Sequence, residues 1–330
     1  MKARLFILFA AVTFAGTSLE AQDARCPATT NTERISQDAC QKAIDLFAYL
    51  APQLATTVAG GNATLGMAGS LGGLGHFSAG LRVNALQGSL PQVQNVTLQT
   101  NGASNSPPID TKTQLFPMPT AELAIGVFKG LPLAITNVGG VDLLVSAAYL
   151  PEFNSSGVSV KVPNGSLKLG YGARVGILQE SLLVPGVSVS YVRRDLPTVN
   201  IAANSGSDSL YVNNFSLKTT AWRVVASKGL LLFGFAAGIG QDKYESSTDI
   251  SAHVAARTLT PAANAGPVAL SQNITRTNVF ADLSLNLLLF KLTGEIGQVS
   301  GGTINTYNTF SGKQAADSRV YGSVGARFGF

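Results

Sequence analysis

Only two histidines occur in the 330 residues, His76 and His253, and each has a neighbour that acid–base or nucleophilic chemistry would require. Ser78 follows His76 by two positions, and residues two apart on a strand share a face. A nucleophile also needs a third group to orient its base and donors for an oxyanion, and the flanking sequence offers neither. Asp249 lies close before His253, a loose Asp–His pair with no second acidic pair beside it. Structural or solvated roles account for both histidines, so no catalytic residue and no enzyme are expected. Gly73-Leu-Gly75 lacks the Lys-Ser/Thr of a phosphate-binding loop, and no cofactor is expected. Cys26 and Cys40 are too few for a metal site without nearby histidine, so no metal is expected. Their pairing as a disulfide is the default for an exported chain, worth about 3 kcal/mol of local order.

The remaining candidates depend on which way a strand turns them. In Tyr321-Gly-Ser-Val-Gly-Ala-Arg-Phe-Gly-Phe330 the even positions are apolar and Ser323, Gly325 and Arg327 are small or polar. Such period-two alternation marks a strand with one greasy face. The same pattern recurs from Phe77 to Ala85, Ala121 to Val127, Val141 to Tyr149, Leu167 to Ile177 and Val187 to Tyr191. It continues at Phe215–Ala226, where a phase change near Thr220 suggests a bulge, then at Leu231–Ile239, Val279–Leu289 and Leu292–Ile296. That makes ten strands, with twelve or fourteen open if Val96-Thr-Leu98 and Val158-Ser-Val160 are spans and not loop hairpins.

Connections alternate between long and short. The long ones are 87–120, 150–166, 196–214, 241–277 and 298–319; the short ones are 128–140, 178–186, 227–229 and 290–291. Outer-membrane barrels have long external loops, short periplasmic turns and an even strand count. Tyr149, Tyr191 and Tyr244 near the external strand ends fit an aromatic girdle. A soluble β-sandwich would alternate equally well, but would not produce this rhythm together with an aromatic C-terminus. The expected fold is therefore an all-β, antiparallel up-and-down transmembrane barrel occupying residues 63–330.

Before the barrel, residues 1–21 read as a signal peptide, with Lys2 and Arg4 ahead of an apolar run and cleavage after Ala21. That run is too short to cross roughly 30 Å of hydrocarbon. Residues 22–62 then form an N-terminal periplasmic segment holding the disulfide. Within it Cys40, Ile44, Phe47, Ala51, Leu54 and Val58 draw one helical stripe, with Pro52 expected to kink or split the helix and Gly60-Gly61 to end it. The polar face lacks the Lys/Arg excess of a membrane-surface helix, so the stripe should pack on its own protein. The formal charge of +5 falls by one when Lys2, Arg4 and Glu20 leave, and its basic residues are scattered, which excludes a nucleic-acid footprint. Charged residues are 12% and hydrophobics 45%, yet no internal stretch reaches the length of a transmembrane helix.

If the alternation is right, His76, Arg82, Glu122, Asp142, Lys168, Arg174, Arg194, Asp282, Glu295 and Arg327 face the lumen. Gly170, Gly172, Gly176, Gly234, Ala236, Gly238 and Gly240 face it too and leave a wall of small residues. Open aqueous pores need about sixteen strands, whereas about eight are filled by side chains. Ten strands thus leave a closed barrel, a gated conduit or a ligand cavity. The small wall should be covered, by the helix stripe as a plug or by a hydrophobic small-molecule ligand, because a dry void forfeits dispersion contacts.

Gly72-Gly-Leu-Gly-His-Phe-Ser-Ala-Gly80, after an N-terminal helix and before a barrel ending in Phe, resembles uncharacterised exported outer-membrane β-barrel proteins. More distantly it is similar to FadL-type long-chain fatty-acid transporters, which also place a helical segment before the barrel. The resemblance covers nearly all of the mature chain. It implies location among outer-membrane lipid, Phe328 and Phe330 as a signal to the barrel-assembly machinery, and a transport role. A structural or assembly partner of the envelope is the alternative, and an outer-membrane hydrolase a third.

Overall fold

A computed structural model describes residues 22–26, 33–133, 135–155, 158–256 and 261–329. The expected signal peptide and Phe330 lie outside the described residues. Among the described residues one α-helix, α1 (Glu33–Ala59), precedes the strands. The first strands are β1 (Phe77–Pro91), β2 (Thr111–Phe128), β3 (Leu131–Leu133), β4 (Thr136–Val138) and β5 (Gly140–Tyr149). There follow β6 (Phe153–Ser155), β7 (Val158–Lys161), β8 (Leu167–Leu178), β9 (Gly186–Ser205) and β10 (Asp208–Leu230). The chain closes with β11 (Phe233–Val254), β12 (Ala263–Leu287), β13 (Phe290–Ser300) and β14 (Arg319–Gly329).

Ten of these strands form an antiparallel ring. Its order is β1-β2-β5-β8-β9-β10-β11-β12-β13-β14, and β14 pairs back onto β1. A closed ring leaves no open sheet edge, which a bilayer demands because it offers backbone groups no water. The Val158-Ser-Val160 alternation is a hairpin, β6–β7, laid beside the far end of β9. Val96-Thr-Leu98 lies in no strand. No helix among the described residues is long and apolar enough to cross a membrane.

At the short-turn end the outer surface is a continuous apolar belt. On β12 the outward residues Val279, Leu283 and Leu287 are exposed, a run matching the 9–11 residues of a tilted spanning strand. Exposed leucines at the turn tips, Leu182, Leu183, Leu231, Leu232, Leu288 and Leu289, continue the belt to the very end of the barrel. Its other border runs where Tyr191 pairs with Trp222 across β9–β10, and where Ile239 pairs with Val279 and gives way to Gln241 opposite Thr277. Amphipathic aromatics belong at such a boundary.

Beyond that border β9 to β12 continue, and the pleat exchanges its solvents. Inward residues become apolar: Phe215, Leu217, Ile250, Leu270 and Ile274 are buried, and all pack in one cluster with α1. Outward residues become polar, as with Lys243 and Glu245, which form an exposed ion pair. The barrel is thus greasy outside within the belt and greasy inside above it.

This exchange corrects three sequence expectations. The apparent phase change near Thr220 is a change of surroundings: inward burial alternates without a break from Phe215 to Ser227, and the register shift falls at Asn213–Ser216. Tyr244 is no girdle residue; it faces inward, with its hydroxyl donating to Asp242 at 3.1 Å. The connections expected at 196–214 and 241–277 are mostly strand: only 206–207 part β9 from β10, and β11 runs to Val254 before β12 begins at Ala263.

Trp222 is the only tryptophan of the chain, so it reports the border directly. In reconstituted protein its fluorescence should be quenched more by lipids brominated near the glycerol than by lipids brominated at mid-chain. The reverse order would move the belt.

Candidate functional site: a helix sealed into the lumen

Residues 22–62, expected as an N-terminal periplasmic segment ahead of the barrel, do not stand apart from it. α1 lies inside the barrel, its first half among the long connections and its last turn at mid-lumen. Asp38 accepts from the amides of Gln99 (2.8 Å) and Ser104 (2.9 Å) in the β1–β2 connection. Tyr49 stacks on Phe310 of the β13–β14 connection, ring centroids 3.8 Å apart. The Cys26–Cys40 disulfide ties the preceding residues to the helix, and Arg25 donates to Ala269 O. The N-terminal segment therefore sits at the end of the barrel opposite to that where β14 finishes.

Pro52 neither splits nor ends α1. A proline removes the hydrogen bond that the carbonyl four residues earlier would receive. That carbonyl, Ala48 O, is taken instead by Gln272 Nε2 of β12 at 3.3 Å. Nearly every face of the helix is buried, so the apolar stripe meets the upper cluster while Gln53 bonds both backbone groups of Ser89 on β1.

A helix end carries carbonyls without intrahelical partners and roughly half a negative charge. Here the barrel wall supplies cations to them. Arg194 Nη1 donates to Ala59 O at 2.6 Å, and Arg223 Nε and Nη2 donate to Gly61 O and Gly60 O at 3.1 and 3.0 Å. Arg82 Nη1 donates to Asn62 O at 2.7 Å, and Asn84 and Asn278 add one bond each to Thr57 O and Gly60 O. Gly60 closes the helix with φ +61°, and a Cβ there would crowd the side chains of Asn84 and Arg82.

Below the helix end the chain turns extended and presents amides, and the wall changes sign to match. Glu295 accepts from Asn62 N at 2.7 Å, Asp282 from Gly66 N at 2.8 Å, and Asp142 from Leu71 N at 3.0 Å. The carboxylates are in turn held: Arg174 pairs with Asp142 at 2.7 Å, and Glu122 bridges Arg82 and Arg194. Arg223 forms an ion pair with Asp242, whose other oxygen accepts from Asn278 Nδ2 at 2.9 Å.

The structure thus brings Arg82, Glu122, Asp142, Arg174, Arg194, Asp282, Glu295 and Arg327 together in the lumen. It does not bring His76 or Lys168 there. His76 stands exposed just before β1, at the rim, and Lys168 is exposed near the start of β8. His253 bonds Asn264 at 2.7 Å, while Asp249 accepts from Asn214. Arg223, Asp242 and Tyr321 escaped the sequence reading. The first was hidden by the apparent phase change, and the second fell in a stretch read as loop.

The small-residue wall does not meet the helix stripe. Ala51 packs in the upper cluster, whereas Ala236 packs in a lower one with Phe280 and Val225. Phe280 fills the space over Gly238, Ser284 faces Gly234, and Ser70 of the threaded segment faces Gly176. Gly170, Gly172 and Gly240 admit the backbone of the neighbouring strand. Phe328 packs on Phe77 and Phe290 at the short-turn end, with centroids 6.3 and 5.5 Å away.

No family model matches the sequence, and no curated protein matches it. Solved structures similar to the chain include Ail, the attachment invasion locus protein of Yersinia pestis, at 12% identity. The match covers 78% of this chain and 99% of that one, with a TM-score of 0.23. Another is the Ralstonia pickettii toluene transporter TbuX, at 12% identity over 84% and 94%, TM-score 0.27. A third is OmpT of Vibrio cholerae, at 8% identity over 77% and 97%, TM-score 0.17. The closed ring, the apolar belt and the polar lumen make the chain an outer-membrane β-barrel protein, of the kind whose lumen is occupied by its own chain.

Two outcomes are expected. Arg223→Ala leaves Asp242 buried without its cation and should destabilise the folded barrel by about 3–5 kcal/mol, whereas Lys243→Ala in the exposed pair should cost at most about 1 kcal/mol; unfolding in detergent reads both. Asp45, on α1, accepts from Asn308 N and Nδ2 and from Tyr307 N. Burial raises its pKa above 3.8, and these bonds oppose the rise. A raised carboxyl stabilises most below its unfolded pKa and loses that contribution as pH climbs. The melting temperature of wild type relative to Asp45→Asn should therefore fall as the pH rises above the ordinary carboxylate range.

Proposed function

We propose that the protein is a gated conduit for small or hydrophobic compounds, closed at rest by residues 33–71. The observation that carries this reading is the kind of contact holding the threaded chain below the helix. It is fixed to charged and polar side chains of the wall by hydrogen bonds, which water can replace one by one. A barrel serving only as scaffold at this strand number could fill its lumen with its own side chains. Here a separate piece of chain occupies the bore, with Ser70 filling the space beside Gly140 and Gly176. The FadL-type resemblance supports the same class of role. In this reading the short turns face the periplasm, β14 ends there for the barrel-assembly machinery, and α1 enters from the external face.

A second reading has one observation in its favour. β9 to β12 project well past the belt, with β6–β7 beside them, and offer a rigid polar surface to an envelope partner.

A tether separates the two. A Cβ on Gly176 would lie 3.1 Å from Ser70 Cβ, near disulfide range. The Ser70→Cys/Gly176→Cys double variant should abolish solute uptake into proteoliposomes when oxidised and recover it on reduction. Equal uptake in both states, or none in wild type, would refute the conduit.

A further inference from the structure

Beneath the helix end lies a cavity of about 30 Å³ between residues 63–65 of the threaded chain and strands β1, β2, β5, β9, β13 and β14. Its polar lining is lopsided. Arg82, Arg194 and Arg327 border it with a single carboxylate, Glu122. That carboxylate is already shared, its Oε1 standing 2.6 Å from Arg82 Nη2 and 3.0 Å from Arg194 Nη2. Arg82 Nε, Arg194 Nε and Arg327 Nη1 are buried without a partner, and so are the hydroxyls of Thr64 and Ser78. Arg82 and Arg194 are only 2% and 6% exposed.

The other acids of the lumen are committed elsewhere. Asp142 is held by Arg174, Asp242 by Arg223, and Asp282 and Glu295 by the amides of the threaded chain. Asp282 Oδ1 has no partner but does not border the cavity. The helix carbonyls offset roughly half a charge, which leaves the three guanidiniums in excess. Water could satisfy the N–H groups, but it cannot neutralise buried charge, and uncompensated charge in a dry site costs several kcal/mol.

The geometry points to a binding site for one small monovalent anion of halide size, received by Arg82 Nε, Arg194 Nε and Arg327 Nη1. The volume suits it, since about 10–15 Å³ already admits a water. Access exists as well: Arg327 and Ser78 also line an open vestibule of about 360 Å³ at the short-turn end, beside Lys228 and Lys291. The anion completes the charge balance around the helix end and so helps keep the lumen sealed.

Crystals of the full chain grown in bromide should show an anomalous peak within hydrogen-bonding distance of Arg82 and Arg327. Detergent-purified protein should melt several degrees lower when chloride is replaced by gluconate at equal ionic strength. Arg327→Gln, which leaves the plug contacts intact, should abolish that difference, and Glu122→Gln should preserve the bromide peak. A cavity holding water alone in bromide, or a chloride effect unchanged in Arg327→Gln, would overturn the site.

Discussion

A helix that ends inside a membrane barrel must find partners for its last carbonyls, because neither lipid nor a dry lumen will hydrate them. The guanidiniums of Arg82, Arg194 and Arg223 meet that demand and set much of the rest. These three arginines are balanced by two carboxylates, Glu122 and Asp242, which lie diagonally across from Arg82 and Arg223 on the neighbouring strands. The chain leaving the helix then has free amides, and Asp142, Asp282 and Glu295 take them. The lumen is a layered match of charge to backbone polarity, cationic against carbonyls and anionic against amides.

The second organising feature is that one set of strands serves two environments. Within the belt the pleat turns Val, Leu and Phe to lipid and its charges inward. Above it the same strands turn polar residues to water and aliphatic ones onto α1. The strands keep their register across this border, so one uninterrupted sheet joins a membrane barrel to a helix-filled cap. The helix is the core of that cap, just as it is the stopper of the lumen.

The ring was legible from sequence because belt strands alternate strongly, with Val279 to Leu287 the plainest case. Eight of the lumen charges were legible for the same reason. Alternation failed where the environment reversed. From Phe215 to Ala226 the apolar residues change parity, which a period-two reading takes for a bulge or the end of a strand. That hid Arg223, and the analogous change after Ile239 hid Asp242 and misplaced Tyr244. The helix was legible, and a plug was one of the places open to it, but the surface it meets was not. Its stripe packs on the apolar inner face of the upper strands and not on the small-residue wall, because those upper stretches read as loops. Pro52 misled for a related reason, since the acceptor it frees is satisfied by Gln272, more than two hundred residues away.

The pairing of β14 with β1 has a consequence for the order of assembly. The first and last strands meet at the only seam that closes after all others exist. A helix about 10–12 Å across with its side chains, clasped by a disulfide near its start, is a poor object to thread through a finished ring. It must be laid into the bore while the sheet is still open along that seam. Closure then imprisons it. On this view the plug acts as a template for the barrel, and the zipping of the final strand both completes the wall and locks in what the wall was built around.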